Sequence, residues 1–205
     1  MTFAVLANDA QWEILKNTNP SIEWKRMNDL PSFLAEKNTI VYFNLQDDST
    51  NIDYSNLNAP VFINSVTKTL SVINAKQHII RINAWQGFLE KEIWEIAGSV
   101  TTEVATIIKS LNKKYITVDD EPGFVSARII AMIINEAYFA KGENVSTEAE
   151  IDIAMKLGTN YPYGPFEWGK IIGINNVYEL LKKLSETDGR YLPAAEMENE
   201  IKKLA

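Results

Sequence analysis

Short apolar runs alternate with polar, turn-rich stretches through the first 120 residues of the chain. Phe3 to Ala7 is an apolar run that ends on Asn8-Asp9, which reads as a strand followed by a helix cap. Gln11 to Lys16 then reads as a short helix and Ile22 to Met27 as a second strand. Leu30 to Lys37 carries Pro31 in the first turn of a helix, where the missing N–H costs nothing. Thr39 to Leu45 is β-branched and aromatic and gives the clearest strand of all. Gln46 to Asn58 is polar and turn-rich, and Pro60 to Val66 and His78 to Trp85 are further strands. Ser99 to Asn112 has apolar residues at 100, 104, 107, 108 and 111, which is helical spacing. Lys114 to Val118 is a last strand. Alternation of this kind implies a mostly parallel sheet with helices on its faces.

Beyond Asp120 the pattern is helical throughout. Val125, Ile129, Ile133 and Ala137 recur every four residues with Ile130, Ile134 and Tyr138 beside them, a stripe wide enough for a largely buried helix. Thr147-Glu148-Ala149-Glu150 is a capping box ahead of Ile151, Ala154 and Met155, and Gly158 is placed to end that helix. Pro165 begins another, with Gly173 behind it. Val177 to Leu184 is a fourth, closed near Gly189, and Glu196 to Leu204 is a final amphipathic piece. Asp119-Asp120-Glu121-Pro122-Gly123 is the natural boundary, so two domains are expected: α/β over 1–120 and all-α over 121–205.

Composition narrows the chemistry. There is no cysteine among the 205 residues, which excludes disulfides, zinc ribbons, iron–sulfur clusters and cysteine nucleophiles. The single histidine, His78, excludes His-rich metal sites and reads as a solvent-facing residue at a strand start. A net charge of −7 argues against a nucleic-acid partner, since phosphate binding wants a basic face. The apolar runs are too short to span a membrane, and the first of them meets Asp9 with no basic residue before it, so a cytoplasmic location is expected. The five tryptophans read mainly as core filling, with one or two free to line an acyl or aromatic pocket.

Three stretches of the second half carry a family pattern in order and at its spacing. Asp120-Glu121-Pro122-Gly123-Phe124-Val125-Ser126-Ala127-Arg128 is similar to D-x-P-G-F-x-x-N-R. Asn135-Glu136-Ala137 is similar to N-E-A. Ile151-Asp152 through Gly158, followed by Pro162-Tyr163-Gly164-Pro165-Phe166-Glu167, is similar to I-D-x-x-M-x-x-G and P-x-G-P-F-E. The chain thereby resembles the 3-hydroxyacyl-CoA dehydrogenase family. Weaker matches lie upstream, in Ser65-Val66-Thr67-Lys68-Thr69-Leu70 and Ile93-Trp94-Glu95-Ile96. The resemblance implies a truncated Rossmann-like parallel-sheet domain followed by a helical C-terminal domain.

The family's reaction moves a hydride between NAD and C3 of an acyl-CoA, in fatty acid metabolism. Its glycine turn falls here on Ala7, Asp9 and Trp12. Asp9 would set a negative charge against a diphosphate, and Trp12 would hold the helix off. No cofactor is therefore expected where the family uses NAD. The family's histidine base aligns with Asn83 and its orienting glutamate with Glu95, twelve residues on. An amide hydrogen-bonds but has no titrating proton near neutral pH. The family's serine falls on Lys68 and its asparagine on Ala127; Lys68 with Arg81 would meet a phosphate such as that of coenzyme A.

The expectation is a 3-hydroxyacyl-CoA dehydrogenase-like protein without NAD-dependent activity. It would bind an acyl-CoA-like small molecule or act as a homodimer through its helical domain. Two alternatives stand beside it: an active 3-hydroxyacyl-CoA dehydrogenase or other acyl-CoA enzyme with a rewired site, and a pure interaction or scaffold protein.

Overall fold

The computed structural model describes residues 1–46 and 52–204, so the turn-rich stretch expected over 46–58 lies partly outside the described residues. The chain divides into two compact units, Met1–Phe124 and Val125–Ala205.

The first unit is a seven-stranded sheet of β1 (Thr2–Leu6), β2 (Glu23–Arg26), β3 (Val41–Asn44), β4 (Val61–Asn64), β5 (Ile79–Ile82), β6 (Ile93–Ala97) and β7 (Lys114–Thr117). Their spatial order is β2-β1-β3-β4-β5-β6-β7. Every pairing is parallel except β5 with β6, where Arg81 faces Ala97 and Ile82 faces Ile96. Side chains alternate across the sheet, as a period of two requires. Phe3, Val5, Phe43, Phe62, Ile80, Ile82 and Ile96 face one core, closed by α1 (Asp9–Lys16) and α3 (Thr102–Ser110). Ala4, Leu6, Tyr42, Val61, Ile63 and Ile79 face the other.

That second core is covered by α2 (Leu30–Ala35) and by loop residues such as Tyr54, Leu57 and Ile73. The described residues of the connections β3–β4 and β4–β5 carry no helix, which is where this Rossmann-like domain is shortened. Aromatic stacking fills the centre: the Phe43 and Phe62 rings are stacked nearly parallel, their centroids 4.8 Å apart. Such a pair contributes about 0.5–1.5 kcal/mol beyond its burial. Trp85, Trp94 and Trp168 are buried, and Trp12 and Trp24 pack against the first core.

β6 is the one strand that the periodicity did not indicate. Glu95 interrupts its apolar run, and its antiparallel partner is supplied only by tertiary structure.

The second unit comprises α4 (Ser126–Gly142), α5 (Glu148–Thr159), α6 (Pro165–Ile172), α7 (Ile174–Ser185) and α8 (Ala195–Leu204). Asn135, 1 % exposed on α4, bolts the segment before α8: Nδ2 donates to Leu192 O at 2.8 Å and Oδ1 accepts from Ala194 N at 2.8 Å. The capping box at Thr147 is formed with Glu150. Gly158 does not end its helix as expected. It lies inside α5, and Asn160, in the left-handed region at φ 58°, makes the stop. Among the described residues, no helix is long and apolar enough to cross a membrane.

Candidate functional site

Open α/β sheets bind ligands outside the carboxyl ends of their strands, where the strand order reverses. Here that point lies between β1 and β3. It is occupied by side-chain amides of the chain itself. Asn8 caps α1, its Oδ1 accepting from Gln11 N at 2.9 Å while Gln11 Oε1 accepts from Asn8 N at 3.1 Å. The Gln11 side chain, 7 % exposed, then reaches across the strand ends. Its Nε2 donates to Leu45 O at 2.8 Å and to Ala84 O at 3.1 Å. Asn64 at the end of β4 accepts from Ala84 N at 3.0 Å. Asn44 at the end of β3 donates to Tyr54 Oη at 2.8 Å. Burial pushes the Tyr54 phenol up to about 12, so it stays neutral in that bond.

These residues do not fit a pyrophosphate. A dinucleotide needs free backbone N–H groups at the start of the helix and room for close approach. The capping box uses the Gln11 N–H, and Gln11 fills the crevice. Asp9 brings a carboxylate, paired with Arg26 Nη2 at 2.6 Å. The same guanidinium donates to Ala7 O at 3.2 Å and lies 5.6 Å from the centre of the Trp12 ring. Arg26 ends β2, where dinucleotide-binding folds set an acid for the ribose. The pattern Asn-x-x-Gln over 8–11 is a readable capping signature, but its reach to Leu45 and Ala84 is a tertiary fact.

Asn83 follows β5 directly and is 7 % exposed. Its Oδ1 accepts from Trp85 N at 3.1 Å, and its Nδ2 has no partner. Glu95 sits mid-way along β6, half-buried. Continuing the β5–β6 register by one step sets Asn83 opposite Glu95, so the sheet brings these two together. His78 is half-buried rather than solvent-facing, with Nε2 3.3 Å from Tyr54 O. Lys68 is half-buried in the loop after β4, its carbonyl accepting from Ser65 Oγ at 2.8 Å. Ala127 is wholly buried in the second unit, on α4.

Arg81 corrects the expectation of a phosphate-facing cation. It is 0 % exposed. Its guanidinium donates to the Asp120 carboxylate and to the carbonyls of Ser65 at 2.8 Å, Val66 at 3.2 Å and Glu121 at 3.2 Å. It is an internal strut.

Residues 123–204 match the family model for the 3-hydroxyacyl-CoA dehydrogenase C-terminal domain. The helical half thus carries a 3-hydroxyacyl-CoA dehydrogenase C-terminal domain. The chain is 39 % identical over 99 residues to the 3-hydroxyadipyl-CoA dehydrogenase of Escherichia coli K12, covering 47 % of this chain and 21 % of that protein. It is 28 % identical over 145 residues to a probable 3-hydroxybutyryl-CoA dehydrogenase of Bacillus subtilis, covering 67 % and 50 %. The chain thus spans half or less of the length of these curated relatives. The fold extends further than the sequence match. The crystal structure of (S)-3-hydroxybutyryl-CoA dehydrogenase from Ralstonia eutropha superimposes with a TM-score of 0.73 at 19 % identity, over 98 % of this chain and 93 % of that one. The family's helical motifs have plain structural roles here. Asn135 holds the segment 192–194, and the Asp152 carboxylate accepts from Phe166 N at 2.8 Å and Glu167 N at 3.2 Å, capping α6 from α5.

Proposed function

We propose that this chain is a NAD-independent member of the 3-hydroxyacyl-CoA dehydrogenase family that holds an acyl-CoA-like ligand and pairs with a second copy through its helical unit. The observation that carries the reading is the Gln11 side chain, bonded to Leu45 O and Ala84 O where a dinucleotide would lie. Asn83 supports it, because a carboxamide hydrogen-bonds an oxygen but takes no proton from it. Fold alone does not transfer an activity; the site does.

Calorimetric titration with NADH tests the cofactor half. No heat of binding is expected at ordinary cofactor concentrations, and micromolar affinity overturns the reading. Incubation with 3-hydroxybutyryl-CoA and NAD is expected to give no NADH above background. The Asn83→His variant is expected to behave the same way, since the cofactor crevice stays filled. Titration with butyryl-CoA tests the ligand half, where saturable binding is expected.

A further inference from the structure

The shortened connections leave a cavity on the second face of the sheet. It measures 310 Å³ and lies between residues 52–55, which follow β3, and residues 73–79, which lead into β5. Small-molecule sites begin at about that size, roughly 300–1,000 Å³. Ile79 is the first residue of β5, so the cavity sits toward the amino ends of the strands, away from the crevice at their carboxyl ends. Tyr54 and Ile79 are buried at its floor, and Ile52 and Ile73 are half-buried along its walls. Asp53 and Lys76 stand exposed at its rim.

The lining carries both signs of charge. Ser55 N donates to Asp53 Oδ1 at 2.8 Å. Hydrogen bonds from Ser55 hold the Asp53 carboxyl below its usual 3.8, and the Lys76 ammonium adds to the effect, so Asp53 is ionised at neutral pH. Among the described residues neither Asp53 nor Lys76 forms an ion pair, so both charges remain for a ligand. His78 also lines the cavity, with Nε2 3.3 Å from Tyr54 O. A carbonyl only accepts, so the neutral ring carries its proton on Nε2 and keeps Nδ1 as a second acceptor.

This set selects among ligands. A simple acid is attracted by Lys76 and repelled by Asp53, and a simple amine meets the reverse. A molecule bearing both charges is attracted by both residues. The isoleucines of the floor and walls favour an aliphatic group beside those charges. We propose that this cavity binds a zwitterionic α-amino acid with a branched aliphatic side chain. Its ammonium faces Asp53, its carboxylate faces Lys76, and its side chain packs on Ile52, Ile73 and Ile79.

The single histidine makes the test direct: His78 gives the one imidazole proton signal of the chain, and it lines the cavity. Three probes are titrated into the full chain at neutral pH and followed by nuclear magnetic resonance. They are leucine, 4-methylpentanoate, which lacks the amino group, and 3-methylbutylamine, which lacks the carboxylate. Leucine is expected to move the His78 signal saturably, at about tenfold lower concentration than either fragment, the worth of one hydrogen bond to a charged group. Asp53→Asn keeps an oxygen for the Ser55 N–H, so the turn survives. It should weaken leucine about tenfold and leave 4-methylpentanoate no weaker. Lys76→Gln should weaken leucine likewise and leave 3-methylbutylamine no weaker. Equal affinity of the native protein for leucine and either fragment overturns the proposal, as does a His78 signal that leucine does not move. Neither result depends on a variant folding, and neither bears on the acyl-CoA reading.

Discussion

The guanidinium of Arg81 on β5 and the carboxylate of Asp120, 39 residues later, form an ion pair whose cationic partner is wholly shut off from solvent. The carboxylate also accepts from Leu70 N at 3.0 Å and Ser71 N at 3.3 Å, so it ties the β4–β5 connection to the end of the first unit. Phe124 completes the clamp. It is held in the left-handed region at φ 50°, and its ring lies 4.6 Å from the Arg81 guanidinium carbon. The Asp-Glu-Pro-Gly-Phe stretch is thus a structural latch. Asp120→Ala strands a buried cation, and removing one partner of such a pair costs about 3–5 kcal/mol. Asp120 is itself 31 % exposed, which favours the low end. Urea unfolding followed by tryptophan fluorescence measures it, and a change below about 1 kcal/mol would show an idle latch.

Gln11 makes a separate prediction. Gln11→Ala leaves the carbonyls of Leu45 and Ala84 short of a donor and opens the capping box. A loss of about 1–3 kcal/mol is expected in the same unfolding assay. Gln11→Glu should cost more, because it sets a carboxylate against two carbonyl oxygens.

Much of this fold was legible because its elements are local. Strands such as Val41–Asn44 and helices such as Thr102–Ser110 declare themselves by residue type and spacing. β6 was hidden because a five-residue strand with Glu95 in the middle has no pattern of its own. The Asn8 cap was readable, whereas the reach of Gln11 to residues 34 and 73 positions away was not. Arg81 reads from the sequence as a phosphate-meeting cation because three of its acceptors are backbone carbonyls, which a sequence does not display. Asn83 and Glu95 were placed as a pair by family resemblance, and the antiparallel register supplies the physical reason.

Asp152 and Gly164 depend on each other. A Cβ on Gly164 would stand 2.3 Å from the Asp152 Cγ, while the backbone there, at φ −73°, is ordinary. The glycine is needed for space alone. Gly164→Ala is expected to destabilise the helical unit by about 1–3 kcal/mol through overpacking. Asp152→Ala loses the cap of α6, for about 0.5–2 kcal/mol. The double variant should cost less than the sum, since the alanine at 164 no longer strikes the Asp152 carboxyl and meets only the Cβ of residue 152, 2.4 Å away before relaxation. Full additivity in a double-mutant cycle would refute the coupling.

Acid and alkali should act on the helical unit from opposite sides. Hydrogen bonds from Ser146 and Thr147 hold the Glu150 carboxyl below its usual 4.5, and the Lys156 ammonium and Gly164 N–H do the same for Glu167. A depressed folded value means stability present above the unfolded value and lost as pH falls through the folded one. Burial, with Glu200 beside it, pushes the Tyr138 phenol well above its usual 10. That contribution is present below pH 10 and lost as pH rises beyond it. Thermal melting is expected to be flat between these limits and to fall outside them. Glu150→Gln with Glu167→Gln should blunt the acid limb only, and an unchanged limb would sink the assignment.

Self-association through the helical unit is the remaining expectation. α4 buries Ala127, Ala131, Ile134, Asn135, Ala137 and Tyr138, which accounts for one face of its wide apolar stripe. Ile129 on the same helix stays 54 % exposed, and Ile153 and Leu157 on α5 are 53 % and 83 % exposed. Large aliphatic side chains left in water on two helices call for cover. A second copy would supply it with twofold symmetry, the commonest arrangement in soluble oligomers, if the contact buries more than about 1,000 Å². Light scattering at micromolar concentration is expected to give twice the 23.2 kDa chain mass. Leu157→Lys or Ile129→Glu should return the protein to one chain mass while leaving its far-ultraviolet circular dichroism unchanged, because neither side chain belongs to the buried core. A native protein that scatters as a single chain across that range rules the dimer out.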